Sequence, residues 1–359
     1  MWLEPVFSLL LLLTLISPLA GAQSQGVWRF AVSGDSRNCG DVVMPAIAHH
    51  VQADNALFYW HLGDFRAIYK IDEDYAQINQ TTSSGATPTM NDYLANAWDD
   101  FINNQLAYFG ETPVFLALGN HENIPPKDHN QVVAQFADWL NSFPIRNQRL
   151  ADNSTDHAVR GYYHWQMNGI DFITLDNSSD TFDPAQLTWL HNLLDRDAQD
   201  FSIRALVVGM HEALPDSISA DHSMNQSAAG TETGRTASDW LVDFKVRSHK
   251  PLYVLASHSH FYMKGIFNTP AWLKRPASLP GWIVGTAGAI RYPLPANSAD
   301  ALAAKTGVYG YLLATVDPTQ DDPIQFEFHE LSEADVPSDI VNRFTPALVH
   351  ECWANNIQR

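Results

Sequence analysis

Cysteine is nearly absent: Cys39 and Cys352 are the only two in 359 residues. That excludes a disulfide scaffold, a cysteine-rich zinc module and an iron–sulfur cluster. Basic residues are scarce too, 21 Lys and Arg against 40 Asp and Glu, for a net charge of −19. So acidic a chain is repelled by phosphate backbones and anionic lipid, which argues against general nucleic-acid binding and membrane-surface attachment. With 45% hydrophobic and 17% charged residues the chain can bury a sizeable core, and disorder, collagen and coiled coil are excluded.

The one long apolar run lies in residues 1–22. Val6 to Ile16 holds five consecutive leucines and no charge, Pro18 breaks the run, and Ala20-Gly21-Ala22 offers the small residues a signal peptidase cuts after. Residues 1–5 depart from the usual pattern, carrying Glu4 and no Lys or Arg. The run is shorter than the roughly 20 residues a membrane anchor needs, so it reads as an export signal, with no membrane insertion once it is removed. Cleavage after Ala22 would leave residues 23–359 as a single domain with charge −18, since Glu4 departs with the leader. In an exported chain Cys39 and Cys352 are open to two readings, one bridge tying the tail to an early loop or two separate buried thiols.

Beyond the leader, short apolar runs alternate with amphipathic stretches, which indicates an α/β fold. Strands are expected at residues 28–33, 56–62, 113–118, 170–175, 203–209 and 252–256. Helices are expected at 42–51, 92–109, 130–142, 184–195 and 237–246, and two strands in the tail 308–328. Two polar stretches, 80–90 and 214–236, read as irregular and are the expected seat of substrate specificity.

Metal-ligand residue types fall at the ends of these runs. Gly34-Asp35, Gly63-Asp64, Gly119-Asn120-His121-Glu122, His211 and His258-Ser259-His260 each close an apolar run. Five strands therefore deliver a ligand type at the carboxyl edge, where open α/β sheets place their sites. A carboxylate can bridge two cations, an amide oxygen can bind one, and imidazole suits zinc, iron or manganese. Each element alone is weak, since a Gly-Asp pair is usually a turn and a buried histidine usually a packed core residue. Their order together is specific.

The series resembles the calcineurin-like metallophosphoesterase superfamily, with blocks Asp-x-His, Gly-Asp, Gly-Asn-His-Asp/Glu, His and Gly-His-x-His. The resemblance implies a two-sheet β-sandwich flanked by helices, with a metal site at the carboxyl ends of strands. It implies two divalent or trivalent ions (Fe, Mn or Zn) bridged by Asp64, one held by Asp35 and His260, the other by Asn120, His211 and His258. His121 would protonate the leaving group of a small phosphate ester, and Glu122 would orient its imidazole. The chain departs from the pattern twice: Arg37 stands where the first block has a metal-binding histidine, and Ser257 replaces a glycine. Arg37 is expected near the first ion, clamping a phosphoryl group, or else swung away to a carboxylate such as Asp41. The tyrosine of purple acid phosphatases is also missing, its position being taken by Ala67 with Tyr69 two residues on. The competing reading is a non-catalytic phosphate- or metal-binding protein on the same fold. Among the remaining candidates, His61 reads as packed, His222 lies in the second polar stretch, and Trp98 or Trp272 could line a rim.

Overall fold

The computed structural model describes residues 26–82 and 87–358, so the leader and part of the 80–90 stretch lie outside the described residues. The first sheet uses β1 (Trp28–Ser33), β2 (Tyr59–His61) and β3 (Val114–Leu116). The second uses β4 (Tyr163–Met167), β5 (Ile170–Thr174), β6 (Ala205–Gly209), β7 (Leu252–Ala256), β8 (Tyr262–Lys264), β9 (Gly281–Val284) and β10 (Ala303–Lys305). The tail returns β11 (Tyr309–Val316) and β12 (Ile324–Leu331) to the first sheet. Sheet orders are β12-β11-β1-β2-β3 and β10-β8-β9-β7-β6-β5-β4. Strands β1 to β3 run parallel, as do β5, β6, β7 and β9.

Each central strand is apolar on both faces because both faces are covered. Phe30 and Val32 of β1 point into a core shared by the two sheets, and Ala31 points to the opposite side. Val207 of β6 and Leu255 of β7 join that shared core, whereas Val208 and Val254 face away. Aromatic rings fill the space between the sheets: Phe115 stacks on Trp165 at 3.9 Å, and Phe30 meets Phe172 edge-on at 5.1 Å. The expected two-sheet sandwich is thereby observed.

The helices are α1 (Gly40–Ala53), α2 (Glu73–Thr82), α3 (Met90–Asn104), α4 (His129–Gln135), α5 (Ala137–Leu140) and α6 (Phe143–Asp152), followed by α7 (Pro184–Gln199), α8 (Ala228–Ser248) and α9 (Ser338–Ala354). Helices α1 and α9 cover the outer face of the first sheet, and α7 and α8 cover that of the second. Asp183 caps α7 by accepting from the backbone N–H groups of Ala185 and Gln186, with Pro184 in the first turn as expected. Helix α8 begins nine residues before the expected 237, inside the stretch read as irregular. Gly230, Thr231, Thr233 and Gly234 weaken its first turns, but Ser227 caps them and packing on α7 supplies what propensity does not.

Cys39 and Cys352 are joined as a disulfide, with Cα atoms 6.0 Å apart, which selects the first of the two readings. The bridge ties the start of α1 to the end of α9. Arg291, almost fully buried, donates to the Cys352 and Trp353 carbonyls, which the helix end leaves without partners, and to those of Asn356 and Gly307. Among the described residues no helix is long and apolar enough to cross a membrane.

Candidate metal centre

All the ligand-type residues meet at one place, the common carboxyl edge of the two sheets. Asp35 follows β1, Asp64 follows β2, Asn120 follows β3, His211 follows β6, and His258 and His260 follow β7. Asp35, Asp64 and His258 have φ of 61°, 62° and 65°, a region costing about 1–2 kcal/mol for a residue with a side chain. Strain at a strand end of this kind persists where surrounding contacts enforce it. Gly63 and Gly119 make the close approach possible: a Cβ on Gly119 would stand 2.4 Å from Asp64 Oδ1, and one on Gly63 2.5 Å from the Gly119 nitrogen.

The first cluster is built around His211. Its Nδ1–H donates to the Leu62 carbonyl at 2.8 Å, which turns Nε2 toward the site. That Nε2 lies 3.1 Å from Asn120 Oδ1, 3.0 Å from His258 Nδ1 and 3.2 Å from Asp64 Oδ1. Asp64, His211 and His258 are all buried, and one ligand atom from each falls within 4.8 Å of the others. Acceptor atoms facing one another in a dry site repel unless a cation stands among them. The protein registers the same demand by proton affinity. Burial alone would lower the His211 pKa, yet the Asp64 carboxylate raises it to about 10. A divalent ion with nitrogen and oxygen ligands fits this set, displacing that proton.

A second cluster comprises Asp35, Asp64 and His260. The Asp35 Oδ1 and Asp64 Oδ2 atoms are buried without a hydrogen-bond partner. Arg37 enters this cluster rather than turning to Asp41, which is instead paired with Arg66. Its Nη2 donates to His260 Nε2 at 2.9 Å, and its Nε lies 3.6 Å from Asp64 Oδ2. The second cluster therefore meets the ligand requirement by residue type but already holds a cationic side chain.

His121 sits beside both clusters. Its Nδ1–H donates to the Ala67 carbonyl at 2.6 Å, leaving Nε2 aimed at the site, 3.6 Å from Asp64 Oδ2. Burial lowers its pKa to about 4, with the Asp64 charge opposing and Arg37 reinforcing the shift. Glu122, expected to bond that imidazole, does not: the partner of the ring's Nδ1 is the Ala67 carbonyl. Glu122 accepts backbone N–H bonds from Asp64 and Phe65, each at 2.9 Å, and from Gly119 at 2.7 Å. It clamps the loops after β2 and β3 together and leaves the imidazole alone, because its side chain is drawn to three otherwise orphaned donors.

The support of Ala67 is not legible in the sequence. Asp72 accepts from the Ala67 N–H at 3.1 Å and from the Tyr93 hydroxyl at 2.6 Å, and the same hydroxyl accepts from the Ile68 N–H at 3.2 Å. A signal existed in the pairing of two apolar residues, Ala67 and Ile68, with a run of acidic ones nearby, but nothing in it named a carbonyl. Tyr69 lies on the rim, exposed, with its ring 5.3 Å from that of His121. His61 is buried against Phe65 and Phe101, and Trp98 and Trp272 are buried rather than on a rim. His222 packs edge-on to His258 and stacks on Tyr292, lining a cleft of about 480 Å³ with Ser219 and Phe261.

Residues 29–262 match the calcineurin-like phosphoesterase family. A purple acid phosphatase from yellow lupin (Lupinus luteus) seeds superposes with a TM-score of 0.53 at 13% identity, over 86% of this chain and 52% of that one. This chain thus spans about half the length of that enzyme. The structure of PhoD superposes with a TM-score of 0.53 at 15% identity, over 92% of this chain and 78% of that one. At such identities the likeness is one of fold. No curated protein matches the sequence.

Proposed function

The chain belongs to the calcineurin-like phosphoesterase family, and from that premise we propose that it is an exported hydrolase of small phosphate esters. The observation that carries the reading is the convergence of Asp64, Asn120, His211 and His258 on one point, with His121 Nε2 beside it. These four residues would hold a divalent ion, whose charge would steady the phosphoryl oxygens and acidify water. His121 is the general acid: its Nδ1–H is engaged by Ala67, so a proton on Nε2 points toward the leaving oxygen. Burial holds the bare imidazole neutral near pH 7, and an arriving phosphoryl anion favours its protonated form. Water adds to phosphorus, the ester P–O bond breaks, the alcohol leaves with the His121 proton, and a proton of the attacking water stays on the phosphate or returns to His121. Asp35 and His260 complete the ring of ligand types, and Arg37 adds donors that match phosphoryl oxygens. Glu122 holds the two ligand loops in register.

The cleft bearing His222 and Tyr292 opens beside the site and would select the ester group. Export is supported by the apolar leader and by the disulfide, and residues 23–359 would act as one catalytic domain. The competing reading of a binding protein has one observation in its favour, the guanidinium inside the second cluster. Assays with p-nitrophenyl phosphate and its bis ester, with added Mn²⁺ or Zn²⁺, test the proposal. Metal-dependent release of nitrophenol is expected, while tight metal uptake with no turnover of either ester would leave only the binding reading.

A further inference from the structure

The two departures from the family's sequence pattern, Arg37 and Ser257, lie at the same cluster, and each supplies a donor to a different acceptor of it. His260 Nδ1–H donates to the Ile290 carbonyl at 2.5 Å, which commits Nε2 to the acceptor role. The lone pair an ion would use there takes an N–H of Arg37 at 2.9 Å. The other face of His260 is closed by Tyr292, whose ring stacks on it at 3.9 Å. On Asp35, Oδ2 accepts from the Ser257 hydroxyl and from the His258 N–H at 2.7 Å. A glycine at 257 would offer Asp35 no such hydroxyl. The chain has thus placed a cation among the acceptors of one cluster and given Asp35 a hydroxyl donor that needs no ion.

We propose that the Arg37 guanidinium is the permanent cation of the Asp35–Asp64–His260 cluster, so that each chain binds one metal ion, at Asp64, Asn120, His211 and His258, rather than two. This rests on the metal site proposed above and alters the count of two ions that the family resemblance implies. Arg37 is only 4% exposed, so an entering ion must take His260 Nε2 from it and then share a dry site with it. Repulsion between a divalent ion and a guanidinium about 4 Å apart at an effective dielectric near 20 weakens binding by several orders of magnitude. Arginine suits such a post, since it stays charged and its planar fork meets separate acceptors.

The test is metal stoichiometry. Metal-stripped protein is titrated with MnCl₂ by calorimetry, and electron paramagnetic resonance of the same samples distinguishes an isolated Mn²⁺ from a coupled pair. Wild type is expected to take up one tight equivalent with an uncoupled spectrum. Arg37→His, which restores the family's first block, is expected to take up a second equivalent at least about tenfold more tightly than wild type does, with a coupled spectrum. If that variant folds poorly, Arg37→His with Ser257→Gly restores both positions, and the wild-type spectrum remains decisive without either. Two tight, coupled ions in wild type would overturn the inference and leave the phosphoesterase reading standing. A second site that stays closed in the folded His variants would overturn it as well, since the arginine would not be what excludes the ion. Wild type that binds no Mn²⁺ would overturn both this inference and the metal site on which it rests.

Discussion

Asp64 and His121 touch through the backbone, the His121 N–H donating to Asp64 Oδ1 at 3.0 Å, yet their losses should look different. Asp64 faces His211, Arg37 and His121 at once, and against burial these neighbours hold its pKa well below the usual carboxylate range. Asp64→Asn removes the charge that both clusters share, and should lose more bound metal and more turnover than any single histidine change. His121→Ala should keep its metal and lose about 10²–10⁴-fold in kcat, most severely on alkyl esters with poor leaving groups. Metal analysis alongside kcat for an alkyl phosphate checks the pair, and an Ala variant with full alkyl phosphatase activity would remove His121 from the acid role. That Asp64 and His121 lie at one edge was legible in the sequence, because apolar runs that end in ligand-type side chains are a local signal. Their hydrogen-bond partners were not, and Glu122 is the instructive case: beside His121 in the chain, it bonds to backbone groups of Asp64 and Phe65 instead.

At the level of elements, the loop after β2 is where the proposed site and the fold share parts. Arg66, fully buried, pairs with Asp41, Asp74 and Asp100 and anchors this loop to α1, α2 and α3. Two residues further, Ile68 adopts φ 60°, unusual for a β-branched side chain, and carries the Ala67 carbonyl toward His121. Tyr93 of α3 supports that loop with one hydroxyl. Tyr93→Phe should cost about 1–2 kcal/mol of stability through the donor lost to Asp72. It should also lower kcat several-fold with metal content unchanged. Denaturant unfolding and a kcat measurement read both, and an unaltered kcat would show that Ala67 needs no such support. The strands that end in ligand-type residues were legible because their apolar runs are local signals, and β1 matches its expected bounds. Helix α9 was not, since Pro346 and the non-helical Thr345 interrupt its pattern and its apolar face makes sense only against α1.

Across the whole molecule, stability should fall as the solution turns alkaline. His164, buried on β4, is clamped by Asp171 at 2.8 Å and Asp152 at 2.5 Å; burial lowers its pKa but these carboxylates raise it to about 9. A group whose folded pKa is raised stabilises fully below its unfolded value, near 6.5, and ceases to do so as pH rises through about 9. Asp197, pushed up to about 8 by burial and by Asp171, has the same sign, as its proton is also held more tightly in the folded state. Unfolding free energy should therefore drop by on the order of 3 kcal/mol between pH 6.5 and 9. His164→Gln should flatten that slope, and a flat wild-type profile would refute the clamp. Reduction of Cys39–Cys352, which closes a loop of 313 residues, should lower stability by up to about 5 kcal/mol in the chain-entropy account. Thermal unfolding with and without reductant measures it, and equal melting temperatures would deny the bridge a stabilising role. Local chemistry and periodicity sufficed to mark an α/β chain, its ligand types and their order at strand ends, because those properties need only neighbouring residues. The direction of each polar atom needed the folded chain. Arg37 meets His260 across 223 positions, and Ala67 meets His121 across 54. Contacts of that span are set by how the two sheets stack, since burial forces every polar atom to find whichever partner the packing brings within reach.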